Sequence, residues 1–127
     1  MDAVQKDVAH VERAIVKLFN ARDIKGILNY FSTNFVGFSS ARHERLTSLT
    51  LLKKTFLHYL EEGEEVKYAI KNLKINIYGE CALSSFYWTV EITKRNKSKL
   101  INGRGSHVFL MTEHGWRIVH EHYSKAH

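Results

Sequence analysis

The chain has 127 residues, of which 44% are apolar and 25% are charged, values typical of one folded domain rather than a disordered segment. Its single cysteine, Cys81, excludes an intramolecular disulfide, and a reducing cytoplasm is therefore the expected compartment. The net charge is +6, but the positive charges are concentrated only in residues 94–99. That segment has no aromatic residue to stack on a base, so we interpret it as a solvated hairpin tip and expect no nucleic-acid partner.

No part of the sequence indicates secretion, a membrane partner or a domain boundary. The first residues lack the basic patch and apolar run of a signal peptide, and no stretch reaches the roughly 18 apolar residues of a membrane span. The chain contains no proline, and no linker or repeat interrupts it. We therefore expect a single domain over residues 1–127, with no membrane contact.

Apolar residues at helical spacing predict three helices in the first half of the chain. The first helix covers residues 4–19 and carries one apolar stripe. Asp23 is expected to cap a short second helix, which is followed by a β-like segment at residues 35–38. A third helix begins at Thr47 or Ser48 and is amphipathic.

In the second half of the chain the apolar residues alternate with a period of two, which predicts antiparallel strands. The alternation changes phase near Lys71 and Asn72, as a β-bulge would cause, and a bulge bends a sheet. The four predicted strands cover residues 66–77, 82–92, 100–112 and 116–123.

Helices at the start and strands at the end predict an α+β domain whose helices pack on one face of a strongly curved antiparallel sheet. Such a sheet forms a cone whose open end is a pocket. Both faces of the sheet are apolar, since Leu83 and Tyr87 alternate with Phe86 and Trp88. Because the helices cover only one face, a homodimer through the other sheet face is expected.

The last two strands resemble a known hairpin. Residues 102–109 read NGRGSHVF and residues 114–124 read HGWRIVHEHYS. A Gly-Arg-x-Ser segment, a turn with Gly-Trp and an Arg-Ile-Val-His-x-His-x-Ser strand are similar to the closing hairpin of SnoaL-like domains. These domains belong to the nuclear transport factor 2-like superfamily, whose helices and strands occur in the same order. The resemblance covers the whole chain and implies a conical α+β fold and a dimer.

The resemblance implies two classes of function. The superfamily includes ketosteroid isomerases, polyketide cyclases, epoxide hydrolases and dehydratases, which would make this chain a cofactor-independent isomerase, cyclase or hydrolase acting by proton transfer. It also includes the association domain of the calmodulin-dependent kinase, which would make the chain a non-catalytic binding or oligomerisation module. Proton transfer next to a carbonyl needs a carboxylate inside the cone. The sequence does not indicate one, because Glu91 and Glu121 are predicted at the surface and Asp23 as a cap.

Histidines are the alternative proton-transfer groups. His120 and His122 lie two apart on a strand and so share a face. If His114 and Gly115 form a two-residue turn, His107 lies opposite His122 and all three histidines share that face, whereas a longer loop would separate them. A metal is not the favoured interpretation, since no carboxylate ligand is fixed nearby, and no cofactor is expected. His107 or His122 is the candidate catalytic acid or base.

The pocket is expected to bind a small, mostly apolar or carboxylate-bearing molecule. Aromatic side chains with polar tips suit such a pocket, and Arg104 can pair with a ligand carboxylate or with Glu121. The candidate ligand-binding residues are Tyr30, Tyr59, Phe86, Trp88, Arg104, His120 and Tyr123. Spacing leaves open which face of residues 116–124 lines the pocket, because a bulge would exchange the two faces.

Overall fold

The computed structural model of the chain describes residues 1–126. Its elements are α1 (Ala3–Asn20), α2 (Ile24–Leu28), β1 (Phe31–Phe38), α3 (Leu49–Leu60), β2 (Glu65–Tyr78), β3 (Cys81–Lys94), β4 (Lys97–Thr112) and β5 (Gly115–Lys125). The expected order of helices and strands is confirmed. None of the helices within residues 1–126 is long and apolar enough to cross a membrane.

Side-chain caps determine where the helices begin. The Asp2 side chain accepts a hydrogen bond from the backbone of Gln5 at the start of α1, in a capping box. Asp23 caps α2 and Ser48 caps α3 in the same way, each by accepting a bond from a backbone N–H in the first turn. The predicted roles of Asp23 and Ser48 are therefore confirmed.

The five strands form one mixed sheet in the order β1-β5-β4-β3-β2. The strands β2 to β5 are antiparallel hairpin neighbours, as expected, whereas β1 pairs in parallel with β5. α3 and three strands lie between β1 and β5 along the chain, so no hairpin joins the two. The connection therefore does not require β1 to run antiparallel to β5. The sheet curls around the helices without closing.

A bulge in β2 bends the sheet where the alternation predicted one. The pairing of β2 with β3 shifts between Lys71 and Lys74, and Asn72 adopts a positive φ of 56°. Val66 and Tyr68 are buried before the bulge, and Ile75 is buried after it, so the inward-facing positions change from even to odd. The bulge keeps apolar residues on the concave face along all of this long strand.

The core lies between α1 and the concave face of the sheet. Two glycines in β4 let aromatic rings of β3 lie flat across the sheet. A Cβ atom on Gly103 would lie 2.1 Å from the Trp88 ring, and one on Gly105 would lie 2.7 Å from the Phe86 ring. The Trp88 indole then donates a hydrogen bond to the Arg104 carbonyl, at 3.1 Å. The largest buried side chains include Trp88, Phe35, Phe109, Ile27, Leu46, Leu52 and Ile118.

Candidate functional site

The pairing of β4 with β5 decides which side chains enter the cone. The turn occupies residues 113–114, one residue earlier in the chain than the predicted turn at 114–115. Thr112 therefore pairs with Gly115. Val119 then bulges out of the ladder, and His107 comes to lie opposite Glu121. The predicted pairing of His107 with His122 is therefore wrong, and the three histidines do not share a face.

The bulge directs the two histidines of β5 outward. His120 pairs with Val36 and is half-buried on the outer sheet face, and the exposed His122 lies beside Phe38, with ring centroids 5.5 Å apart. Glu121 takes the inward position instead and is only 4% exposed. The prediction that Glu121 lies at the surface is therefore wrong, and the inner side of β5 carries a carboxylate.

Glu121 belongs to a buried cluster of charged side chains. His107 is fully buried between two carboxylates, with its Nδ1 2.8 Å from Glu12 Oε2 and its Nε2 2.8 Å from Glu121 Oε1. Glu12 comes from α1 and is 2% exposed, and the Ser84 hydroxyl on β3 donates a hydrogen bond to it. Three strands and a helix thus hold one Glu12–His107–Glu121 cluster.

The cluster contains an imidazolium. Burial alone would lower the pKa of His107, but the charge of Glu12 and the hydrogen bonds to Glu12 and Glu121 outweigh burial and raise this pKa to about 10. At neutral pH both ring N–H groups therefore donate to carboxylates. Two acidic side chains and one imidazolium therefore make up the cluster.

A cavity of about 40 Å³ lies beside Glu121, between α1, α3 and the concave sheet face. One water needs roughly 10–15 Å³ on the same scale, so the cavity accommodates a group of a few heavy atoms. The lining residues are Ile15, Phe19, Ser39, Ser40, Thr55, Phe56, Tyr59, Tyr68, Trp88, Val90, Glu121 and Tyr123. Most of the lining is aromatic or aliphatic, and among the described residues Glu121 is its one acidic side chain.

Two pairs of hydroxyl groups add hydrogen-bonding capacity to the cavity wall. The hydroxyls of Tyr68 and Tyr123 lie 2.6 Å apart, and those of Ser40 and Tyr59 lie 2.8 Å apart. Burial raises the pKa of both Tyr68 and Tyr123 well above the usual tyrosine value, so both keep their protons. A hydroxyl pair uses only one of its two hydrogens for its own bond, so the second can be donated to a bound molecule.

The structure brings three of the predicted site residues together at the cavity, namely Tyr59, Trp88 and Tyr123. Phe86 packs behind them, with its ring centroid 5.5 Å from that of His107. His107 itself lies beneath the cavity wall, where it contacts two lining residues, Glu121 and Tyr123.

The other predicted residues lie elsewhere. Tyr30 is outside the cavity, where the Arg117 guanidinium lies over its ring at 6.0 Å. Arg104 is exposed on the outer face opposite Tyr87, so the predicted pairing of Arg104 with Glu121 does not occur. The reason is the alternation of β4, which directs Gly103 and Gly105 inward and Arg104 outward.

Sequence reasoning missed Glu12, Ser84 and Tyr68. A signal for Glu12 was present, because this residue occupies the apolar stripe of α1 between Val8 and Ile15. A carboxylate at such a position is buried and needs a partner. Within residues 1–126 no group of three or more histidine, cysteine or acidic side chains is arranged to hold a metal ion.

Solved structures share this fold at low sequence identity. A candidate dehydratase of the nuclear transport factor 2-like family from Streptomyces avermitilis has a TM-score of 0.85 at 12% identity, covering 98% of this chain and 97% of that chain. The CaMKII hub of S. rosetta has a TM-score of 0.83 at 19% identity, covering 95% of each chain. A nuclear transport factor 2-like superfamily protein from Salmonella enterica has a TM-score of 0.84 at 18% identity, covering 98% and 92%. These likenesses establish the fold alone.

A search of curated proteins finds no match. The sequence model of the SnoaL-like domain family matches residues 8–127, nearly the whole chain and both β4 and β5. The predicted resemblance is thus confirmed, and the chain belongs to the SnoaL-like domain family.

Proposed function

We propose that this protein binds a small organic molecule in the cavity and moves a proton to or from it through Glu121, without a cofactor. The observation that supports the proposal is a carboxylate that is 4% exposed, borders an aromatic cavity and is held on its other side by an imidazolium. A carboxyl group in such a cavity, beside a charged partner, is one of the side chains that enzymes use for acid–base catalysis.

Glu121 suits the role of proton acceptor. Its Oε1 accepts the hydrogen bond from His107 Nε2, and among the described residues no donor contacts Oε2, which is left for the bound molecule. When Glu121 takes up a proton, His107 stays paired with Glu12. His107, Glu12 and Ser84 are therefore positioning residues.

The tyrosine pair supplies the complementary donor. When Glu121 takes a proton from a carbon next to a carbonyl group, negative charge develops on the carbonyl oxygen. A hydroxyl of Tyr68 or Tyr123 can donate a hydrogen bond to that oxygen, because burial keeps both phenols protonated. Return of the proton from Glu121 to a different carbon completes an isomerisation. Replacement of that proton on Glu121 by a deuteron from D₂O, followed by transfer of the deuteron to the original carbon, completes an exchange.

Deuterium exchange into a small ketone tests this function. Butanone in D₂O at neutral pH is followed by proton NMR with the wild-type protein and with Glu121→Gln. We expect wild type to accelerate the exchange and the variant to lose roughly 100-fold or more of that acceleration, as removal of a general base does. Glu91→Gln, which removes an exposed carboxylate of β3, is the matched control and keeps the wild-type rate. Equal rates for wild type and Glu121→Gln would contradict the proposal.

A second function, assembly of copies through the outer sheet face, is supported by different residues. Tyr87 is 50% exposed and Leu110 is 42% exposed on this face, and no helix covers them. Val36 and Val108 continue the apolar surface toward β1. We propose a homodimer through this face, in agreement with the similarity to a CaMKII hub. The cavity lies on the opposite side of the sheet, so the two functions are compatible.

A further inference from the structure

The charges around the cavity restrict the ligands that it can hold. Glu121 borders the cavity, and the cluster behind it holds a second acidic side chain, Glu12, and a single histidine. No lysine, arginine or histidine is among the described residues that line the cavity. A negatively charged ligand would therefore be buried beside the Glu121 carboxyl group with no cationic side chain of the lining to pair with it, which is costly.

The aromatic lining adds an attraction for the opposite charge. The rings of Trp88 and Tyr123 are stacked, with centroids 5.8 Å apart, and the Tyr59 ring meets Trp88 edge-on at 6.4 Å. Phe19 lies 5.4 Å from Tyr68 and 6.2 Å from Phe56. All six rings line the cavity, and aromatic faces attract organic cations, most strongly where water is excluded.

We propose that the ligand of this cavity carries a small aliphatic ammonium group, seated among the aromatic rings and attracted by the nearby Glu121 carboxylate. This assignment rests on the proposed function of the cavity as a small-molecule site and names the class of molecule that it takes. The volume of about 40 Å³ fits a primary or N-methylated ammonium head and excludes a fused ring system. Ser39, Ser40 and Thr55 also line the cavity, and a hydroxyl oxygen has two lone pairs with which it can accept a hydrogen bond from an ammonium N–H.

Three molecules of similar size and different charge test the assignment: butylammonium, butan-1-ol and butanoate. Their binding to the wild-type protein is measured by NMR titration at pH 7.5. We expect butylammonium to bind at least tenfold more tightly than butan-1-ol, and butanoate to show no binding. Equal or tighter binding of the alcohol or the carboxylate would overturn the ammonium assignment while leaving a small-molecule cavity in place. Absence of binding by all three would also overturn it, and the exchange of butanone would still decide the proposed function independently.

Variants then attribute the selectivity to the cavity. Glu121→Gln keeps the shape of the side chain and removes its charge, so the affinity for butylammonium should fall to that for butan-1-ol, which should not change. Glu91→Gln removes a carboxylate from the exposed outer face and should leave both affinities unchanged. Equal losses in the two variants would show general attraction to the protein surface and overturn the assignment. If Glu121→Gln fails to fold, Trp88→Leu tests the aromatic contribution, and a loss confined to butylammonium is expected.

Discussion

At the scale of single residues, the site depends on one histidine whose role differs from the predicted one. His107 was a candidate catalytic group, and the structure places it behind the cavity wall, where it fixes the Glu121 carboxylate. Two carboxylates share its two N–H groups, so the imidazolium is a structural cation. Burial of these three side chains carries a desolvation penalty. Their hydrogen bonds hold the Glu121 side chain in a fixed position at the cavity.

The raised pKa of His107 predicts how stability depends on pH. The native pKa is about 10 and the unfolded value is about 6.5, so the stabilisation is fully present below pH 6.5 and is lost as pH rises toward 10. The groups that face this ring are Glu12 from α1, Glu121 and Tyr123 from β5, and Tyr68 from β2 through Tyr123. Because the pKa values of Tyr68 and Tyr123 are also raised, the folded state loses further stability above pH 10.

We expect the free energy of unfolding to fall by a few kcal/mol between pH 6.5 and pH 9.5, measured by urea denaturation. His107→Gln should be less stable at pH 6.5 and should lack this slope. A wild-type free energy of unfolding that stays constant over the interval would contradict the presence of the imidazolium.

At the scale of elements, local signals predicted most of the architecture. The caps at Asp23 and Ser48, the period of two after α3 and the phase change near Asn72 all correspond to observed features. Each is a short-range property of the backbone and its nearest side chains, which the sequence expresses directly. The parallel pairing of β1 with β5 is long-range, and no local pattern indicates it.

The bulge at Val119 explains why the site was predicted less well than the fold. This bulge and the early turn at residues 113–114 bring Glu121 opposite His107, although the alternation of residues in β5 is equally compatible with the opposite face. A shift of one residue in the register exchanges the side chains of β5 that face the cone with those that face outward. The burial of Glu12 can be predicted without knowing how the strands pair, because this residue lies on the apolar stripe of α1.

The Gly-Arg-Gly segment of β4 gives a prediction at the scale of elements. A Cβ atom at Gly103 would lie 2.1 Å from the Trp88 ring and 2.3 Å from the Ser124 carbonyl oxygen, so Gly103→Ala forces ring and backbone apart. We expect the alanine variant to lose about 3 kcal/mol of unfolding free energy in denaturant titrations. Gly79→Asn is the control, because a Cβ there meets nothing within 4 Å and asparagine tolerates the positive φ of 63°. Similar stabilities of the two variants would contradict the packing described for Trp88.

At the scale of the whole molecule, the two faces of the sheet have separate properties. The concave face packs on α1 and holds the charged cluster and the cavity, whereas the outer face carries exposed apolar side chains and the two outward histidines. The proposed assembly and the proposed ligand binding therefore use opposite faces of the sheet.

Self-association through the outer face is tested by sedimentation equilibrium. Leu110→Glu places a charge in the exposed apolar surface, and we expect the wild-type dimer to become a monomer in this variant. Lys97→Glu, at the exposed hairpin tip, should leave the dimer intact. A monomeric wild-type protein, or a dimer insensitive to Leu110→Glu, would contradict the proposed interface.

Glu121 is proposed as an acid–base group in a cavity that binds a small molecule. The rate of deuterium incorporation into butanone, compared between wild type and Glu121→Gln at pH 7.5, measures this role. We expect wild type to catalyse the exchange and the rate to fall about 100-fold in the variant. Catalysis that survives in Glu121→Gln, or that is absent from the wild-type protein, would contradict it.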